Sequence, residues 1–188
     1  ADIALAARSV VNGAFGNSGQ ICASVERVYI HKNVFDVFVK EVVKLTRELI
    51  QDDPARNSRA DIGAMTSREQ FEIVRRQVED AVRKGASVLT GGKVSDRGGM
   101  FFEPTVLTHV TDDMAVMREE TFGPILPIMS VEDDREAIRK ANEGIYGLSA
   151  YVFTKDTKQG RRIAEQIDAG TVMLNETLIT HVFPETPW

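Results

Sequence analysis

The chain's single cysteine stands in a turn-like run, Asn17-Ser18-Gly19-Gln20-Ile21-Cys22, with Gly16 just ahead of it. Free cysteines are among the most buried residue types and usually act as small hydrophobes. A polar, glycine-bearing run offers a thiol something different. Backbone N–H groups lie close by, a substrate can approach without meeting a Cβ, and a developing oxyanion can find the cysteine's own amide. An ordinary thiol, with a pKa of about 8.5, is only slightly ionised at neutral pH, so a nucleophilic role requires activation. In a cysteine hydrolase the activator is a histidine. The chain offers His31, His109 and His181, none at an identifying spacing.

A second stretch with chemical potential is Arg118-Glu119-Glu120-Thr121-Phe122-Gly123-Pro124, an acidic pair beside an aromatic ring and a Gly-Pro turn. Paired glutamates before a turn are ordinary solvated surface. They can also accept hydrogen bonds from a vicinal diol such as a ribose, with the phenyl ring walling the site. The residue types leave both readings open. Metal binding finds no support, because one cysteine and three scattered histidines contain no HxxxH, CxxC or HExxH spacing. GxGxxG and GxxxxGK[ST] are absent as well.

The elements that must position these residues follow from periodicity. Asp2 to about Val11 is rich in alanine and aliphatic residues and predicts a helix running into the turn marked by Gly13 and Gly16. Val25 to Ile30 reads as a strand, and Asn33 or Asp36 is expected to cap the next helix. Positions 35, 38, 39, 42, 45, 46 and 49 are Phe, Phe, Val, Val, Leu, Thr and Leu, an apolar face at helical spacing, closed by the polar loop Asp52 to Asp61. A further helix starts at Thr66 or Ser67, with a capping box to Glu69 or Gln70, and places Phe71, Val74, Val78 and Ala81 on one face before Gly85 stops it. Ser87 to Thr90 is a short strand, and the loop from Gly91 to Gly99 carries four glycines.

The last third alternates apolar runs at 125–131, 148–153 and 171–175 with helical patterns around 132–143 and 156–168. Asp156 suits an N-cap and Gly170 a helix stop. That alternation predicts βαβαβ with right-handed crossovers and a parallel sheet covered on both faces. Pro127 places its strand at an edge or a bulge, since proline cannot donate to the ladder.

With 188 residues, 43% hydrophobic and 27% charged, the chain can bury one sizeable core rather than two. Its net charge of -5 comes from interspersed acids and bases, which makes nucleic acid a poor partner. No apolar run is long enough to span a bilayer. A lone cysteine excludes an internal disulfide framework and points to a reducing, cytoplasmic setting.

In chain order the sequence resembles the catalytic part of the NAD(P)-dependent aldehyde dehydrogenases. The matching residues are Asn17-x-Gly19-Gln20-x-Cys22 with Glu26-Arg27-Val28 and His31; Gly85-Ala86 with Gly91-Gly92; Pro104-Thr105-Val106-Leu107; Glu119-Glu120-x-Phe122-Gly123-Pro124; Ala141-Asn142 with Tyr146-Gly147-Leu148-Ser149-Ala150; Gly170-x-Val172 with Asn175; and Pro187-Trp188. Ala64 departs from the family's usual proline, a change of turn stiffness.

The resemblance implies a three-layer αβα catalytic domain of α/β class built on a parallel sheet. It implies that Cys22 attacks an aldehyde to give a thiohemiacetal and then a thioester, with hydride passing to NAD or NADP. Glu120 would hold the nicotinamide ribose hydroxyls, Phe122 would pack near ribose and ring, and Asn17 and Gln20 would shape the thiol's turn. The Cys22 amide would form half of an oxyanion hole. Asn175 and Trp188 would shape the substrate side, and the loop Glu176 to Trp188, with Thr177, Thr180 and His181, would line the aldehyde's path. A cofactor domain bringing the general base is expected before residue 1 and an oligomerisation tail after residue 188, with a homo-oligomer as the working assembly. Beside this enzymatic reading stand a catalytically silent folded module that self-associates and a histidine-assisted cysteine hydrolase.

Overall fold

The computed structural model describes residues 1–179. In chain order the elements are α1 (Ile3–Phe15), a 3-10 turn (Gly16–Gly19), β1 (Val28–His31), a second 3-10 turn (Lys32–Val34), α2 (Phe35–Glu48), α3 (Arg68–Arg83), β2 (Ser87–Thr90), β3 (Thr105–Thr108), α4 (Ala115–Arg118), β4 (Ile125–Val131), α5 (Asp134–Asn142), β5 (Ser149–Val152), α6 (Thr157–Ala164) and β6 (Thr171–Leu174). The strands form a four-stranded sheet of order β1-β4-β3-β2 and a two-stranded sheet β5-β6. All pairings are parallel except β2 with β3.

Because successive side chains of a strand point to opposite faces, the central sheet feeds two cores. Val106, Leu126 and Ile128 pack with Ala7, Val10 and Val42 of α1 and α2. Leu107, Ile125 and Met129 pack on the other side with Val74 and Val78 of α3. Helices thus cover both faces of a mainly parallel sheet, the three-layer α/β arrangement expected. Among the described residues no helix is long and apolar enough to cross a membrane.

The structure corrects several expectations. The last third does not form one βαβαβ sheet: β5 and β6 pair with each other, whereas β4 lies between β1 and β3. Pro127 is therefore in an interior strand. It is accommodated because β4 pairs with β3 through Ile125–Pro127 and with β1 from Ile128 onward, so the proline falls where pairing passes from one neighbour to the other. Gly170 ends no helix, since α6 stops at Ala164; its N–H donates to Gly147 O and leads into β6. Neither Asn33 nor Asp36 caps α2, which enters from the 3-10 turn through Val34.

Helix α1 continues through Gly13 to Phe15, with the Asp2 carboxylate capping its start by accepting from Leu5 N at 3.0 Å. Gly13 is needed there because a Cβ would lie 2.7 Å from Val25 Cγ2. This close approach lets the Gly13 carbonyl accept from Val25 N at 3.1 Å and from Ser24 Oγ at 3.0 Å. The segment after Cys22 is thereby pinned to the end of α1. Helix α3 starts at Ser67, whose Oγ accepts from Gln70 N at 3.4 Å, and buries Phe71, Val74, Val78 and Ala81 as the spacing predicts.

Candidate active site

The turn that carries Cys22 is left-handed. Asn17, Ser18 and Gly19 have φ of 49°, 59° and 71° in succession. For the first two this conformation costs on the order of 1 kcal/mol each, so outside contacts must hold it. Ser18 is buried, and its Oγ donates to Gly63 O at 3.0 Å and accepts from Gly63 N at 3.1 Å. Asn17 Nδ2 donates to Gln20 O at 3.0 Å, and Gln20 returns its backbone N–H to Asn17 O at 3.1 Å. Gln20 Oε1 accepts from both Thr66 N at 2.9 Å and Thr66 Oγ1 at 2.8 Å. Cys22, two residues on, is exposed. Among the described residues the Cys22 N–H has no intramolecular acceptor. Behind it, the Tyr151 hydroxyl donates to Ala23 O at 2.6 Å, and burial raises the pKa of this phenol above its ordinary value.

Gly19 also sets the distance to the second motif. A Cβ on it would sit 2.2 Å from Gly123 O, so the thiol's turn and the Glu120 segment meet backbone to backbone. That segment has no regular structure from Glu119 through Gly123, yet side chains hold its polar backbone groups. Arg27 donates to Glu119 O at 2.8 Å, and its guanidinium lies 5.3 Å from the centre of the Tyr146 ring. Tyr146 Oη accepts from Glu120 N at 3.1 Å, Gln77 donates to Glu120 O at 3.1 Å, and Gln70 donates to Thr121 O at 2.6 Å. The Glu26 carboxylate accepts from Thr121 N at 3.1 Å and from Phe122 N at 2.8 Å. Burial raises the Glu26 pKa, and the two amides work against that shift. Phe122 itself has φ 44°.

The Glu120 side chain is exposed. The half-buried Phe122 lines a cleft of about 380 Å³ together with Gln20, Thr66 and Gln70. Cys22 is outside the cleft lining, but Gln20 belongs to both the cleft and the thiol's turn. Glu120 too is outside the cleft lining. Its exposed carboxylate stands on the same fixed backbone, two residues before the aromatic wall. A carboxylate and an aromatic wall suit a sugar diol carrying a flat ring. The residues present therefore fit part of a dinucleotide site.

The other expected residues are placed as follows. Asn175, at φ 58°, donates its N–H to Val152 O at 2.8 Å and accepts from Thr154 N at 2.9 Å through Oδ1, closing the β5-β6 end. Thr177 Oγ1 donates to Ser9 O at 3.2 Å, laying the chain after β6 over α1. Thr180, His181 and Trp188 lie outside the described residues. His31 Nδ1 accepts from Asn33 N, and His109 Nδ1 sits 3.2 Å from Ser87 Oγ. Both are engaged locally, and among the described residues neither hydrogen-bonds to the Cys22 turn. No cluster with metal-ligand character occurs among the described residues.

Glu26, Tyr146, Gln77 and Tyr151 carry no role of their own in the sequence, and Gln70 only that of a helix-capping partner. Glu26 and Tyr146 stand inside recognisable motifs, but no spacing rule announces a carboxylate gripping amides 95 and 96 residues away.

The whole chain, residues 1–188, matches the aldehyde dehydrogenase family. It is 38% identical over 176 residues to the 3-sulfolactaldehyde dehydrogenase of Priestia aryabhattai, covering 94% of this chain and 36% of that protein. Among solved structures, a succinate-semialdehyde dehydrogenase from Burkholderia pseudomallei superposes with a TM-score of 0.92 at 36% identity, covering 95% of this chain and 37% of the other. An NADP-dependent glyceraldehyde-3-phosphate dehydrogenase from Bacillus halodurans, complexed with NADP, gives a TM-score of 0.89 at 38% identity, covering 94% and 36%. The chain thus spans a little over a third of the length of these relatives.

Proposed function

Because the chain belongs to the aldehyde dehydrogenase family, we propose that it supplies the nucleophile and part of the cofactor site for oxidation of a small-molecule aldehyde to a carboxylate, with NAD or NADP as oxidant. The observation that carries this reading is the joint geometry of the two motifs. An exposed thiol sits on a braced left-handed turn that abuts, through Gly19 and Gly123, the segment bearing Glu120 and Phe122.

In this reading the Cys22 thiolate attacks the carbonyl carbon, a C–S bond forms, and the carbonyl electron pair moves to oxygen. The Cys22 N–H donates to that oxyanion. The cofactor, when bound, supplies the acceptor for the hydride that leaves the aldehyde carbon. The thiohemiacetal on Cys22 becomes a thioester, which water cleaves to regenerate the thiol and release the carboxylate, the protons passing to solvent. Glu120 accepts hydrogen bonds from ribose hydroxyls, and Phe122 walls the ring. Asn17 and Gln20 hold the turn, and Asn175 and Thr177 border the aldehyde's path.

The general base and the remaining cofactor contacts are assigned to residues outside these 188, as expected of a chain matching about a third of its relatives. A homo-oligomer in the cytoplasm is the working form we propose, and light scattering of the full-length protein tests the assembly.

The test of the chemistry follows the rate of Cys22 alkylation against pH, with and without NAD and NADP, alongside mass spectrometry of the thiol after exposure to aldehyde and cofactor. The expected result is a rate that responds to cofactor, an acyl adduct on Cys22, and none on a Cys22→Ser protein. A cofactor-indifferent thiol, together with a serine variant that forms acid at the parent rate, rejects the reading.

A further inference from the structure

We propose that Glu26 is a positioning residue for the cofactor-contacting segment, acting through the backbone of Thr121 and Phe122 to fix where Glu120 and the Phe122 ring stand. The inference rests on the proposed cofactor role of Glu120 and deepens it.

The segment from Glu119 to Phe122 belongs to no helix or strand, so regular structure does not set its shape. Its shape comes from Arg27, Tyr146, Gln70, Gln77 and Glu26, each holding one or two of its backbone groups. Among these five, Glu26 alone grips two consecutive amides, and it does so at the one strained position. Phe122 at φ 44° is a non-glycine residue in the left-handed region, and its N–H makes a 2.8 Å bond to Glu26. Both amides donate to Glu26 Oε1, Phe122 N–H at 2.8 Å and Thr121 N–H at 3.1 Å, and the Thr121 N–H is shared with Oε2 at 3.1 Å. An ionised carboxylate accepts at both oxygens, whereas an amide that keeps its oxygen at the Oε1 position turns its NH2 toward the Thr121 N–H.

The placement of Glu26 in the chain adds a second consequence. It stands four residues after Cys22, on the stretch pinned to α1 by Gly13. One short segment therefore carries the nucleophile and grips the cofactor-contacting turn. Registration of thiol against cofactor runs through this carboxylate as well as through the Gly19–Gly123 contact.

The experiment compares Glu26→Gln and Glu26→Asp with the parent in the full-length protein. The dissociation constants of NAD and NADP are read by fluorescence of the reduced forms and by equilibrium titration. KM for cofactor, KM for aldehyde, kcat, the cofactor-free alkylation rate of Cys22 and the thermal midpoint complete the set. For Glu26→Gln we expect cofactor dissociation constant and KM to rise about tenfold, as a displaced contact group implies. Aldehyde KM and cofactor-free Cys22 alkylation should stay within about twofold of the parent. Glu26→Asp should recover part of the loss.

A merely structural role would instead lower the thermal midpoint and depress every readout together, without a shift specific to the cofactor. A Glu26→Gln protein that binds cofactor as the parent does overturns the assignment while leaving the functional reading intact. A parent that binds neither NAD nor NADP overturns both. Should Glu26→Gln fail to fold, Glu26→Ala carries the same decision, a cofactor dissociation constant equal to the parent's overturning the assignment.

Discussion

At the scale of single residues, the thiol's turn depends on groups that are small or strained. Gly19 combines φ +71° with a Cβ direction that ends 2.2 Å from Gly123 O and 2.9 Å from Ala14 O. Gly19→Ala should therefore cost more than about 2 kcal/mol, measured as a fall in the urea midpoint at constant slope, and should alter the Cys22 alkylation rate. Ser18→Ala removes both hydrogen bonds to Gly63 and leaves that peptide group without its partner. A loss of about 1–3 kcal/mol is expected in the same measurement. Glu26 gives a pH signature. Its native pKa is raised, chiefly by burial, so the folded protein holds this proton more tightly than the unfolded chain does. Its contribution to stability is present below the ordinary value of 4.5 and is lost as pH rises through the higher native value. Thermal midpoints of the parent should therefore gain on those of Glu26→Gln as pH is lowered through that window.

At the scale of elements, α2 and α3 were legible because three or more turns of consistent apolar spacing outweigh any local ambiguity. Helix α4, of four residues, was not legible, since one turn carries no period. It is held from outside: Asp80 on α3 accepts from Ala115 N at 2.9 Å and pairs with Arg83 and Lys84 at 2.5 Å and 3.1 Å. The Ala115 N–H, and then the neighbouring cations, hold the Asp80 pKa below its ordinary 3.8. Its stabilisation is therefore present above that value and disappears on acidification through the lower native one. Asp80→Asn should destabilise at neutral pH, with the gap between variant and parent closing as pH falls below about 4. This slope is opposite to that of Glu26, so the two variants serve as mutual controls. The turn at Cys22 was half legible: Gly19 declared itself, but Asn17 and Ser18 adopt positive φ because Gly63, Gln20 and Gly123 are there to hold them, and that information lies elsewhere in the chain.

At the scale of the whole molecule, the sequence showed that strands alternate with helices and that the layers number three, but not which strands are neighbours. β4 is claimed by β1 and β3, about a hundred and about twenty residues earlier, rather than by β5 just after it. A pattern of local periods cannot rank such distant pairings. Leu126, fully buried on the face toward α1 and α2, should cost about 2–5 kcal/mol when truncated to alanine, whereas Ile125 loads the opposite core. The contact of Gly19 with Gly123 acts as a gauge block between these two halves of the site. Side chains elsewhere in the cleft can be exchanged without touching this contact. The gap between the sulfur's turn and the Glu120 turn is one backbone thickness, with no side chain in it to lengthen or trim. Any change of reach between the two must therefore come by tilting whole segments, so the separation should be the slowest-changing dimension of the site as its chemistry diversifies.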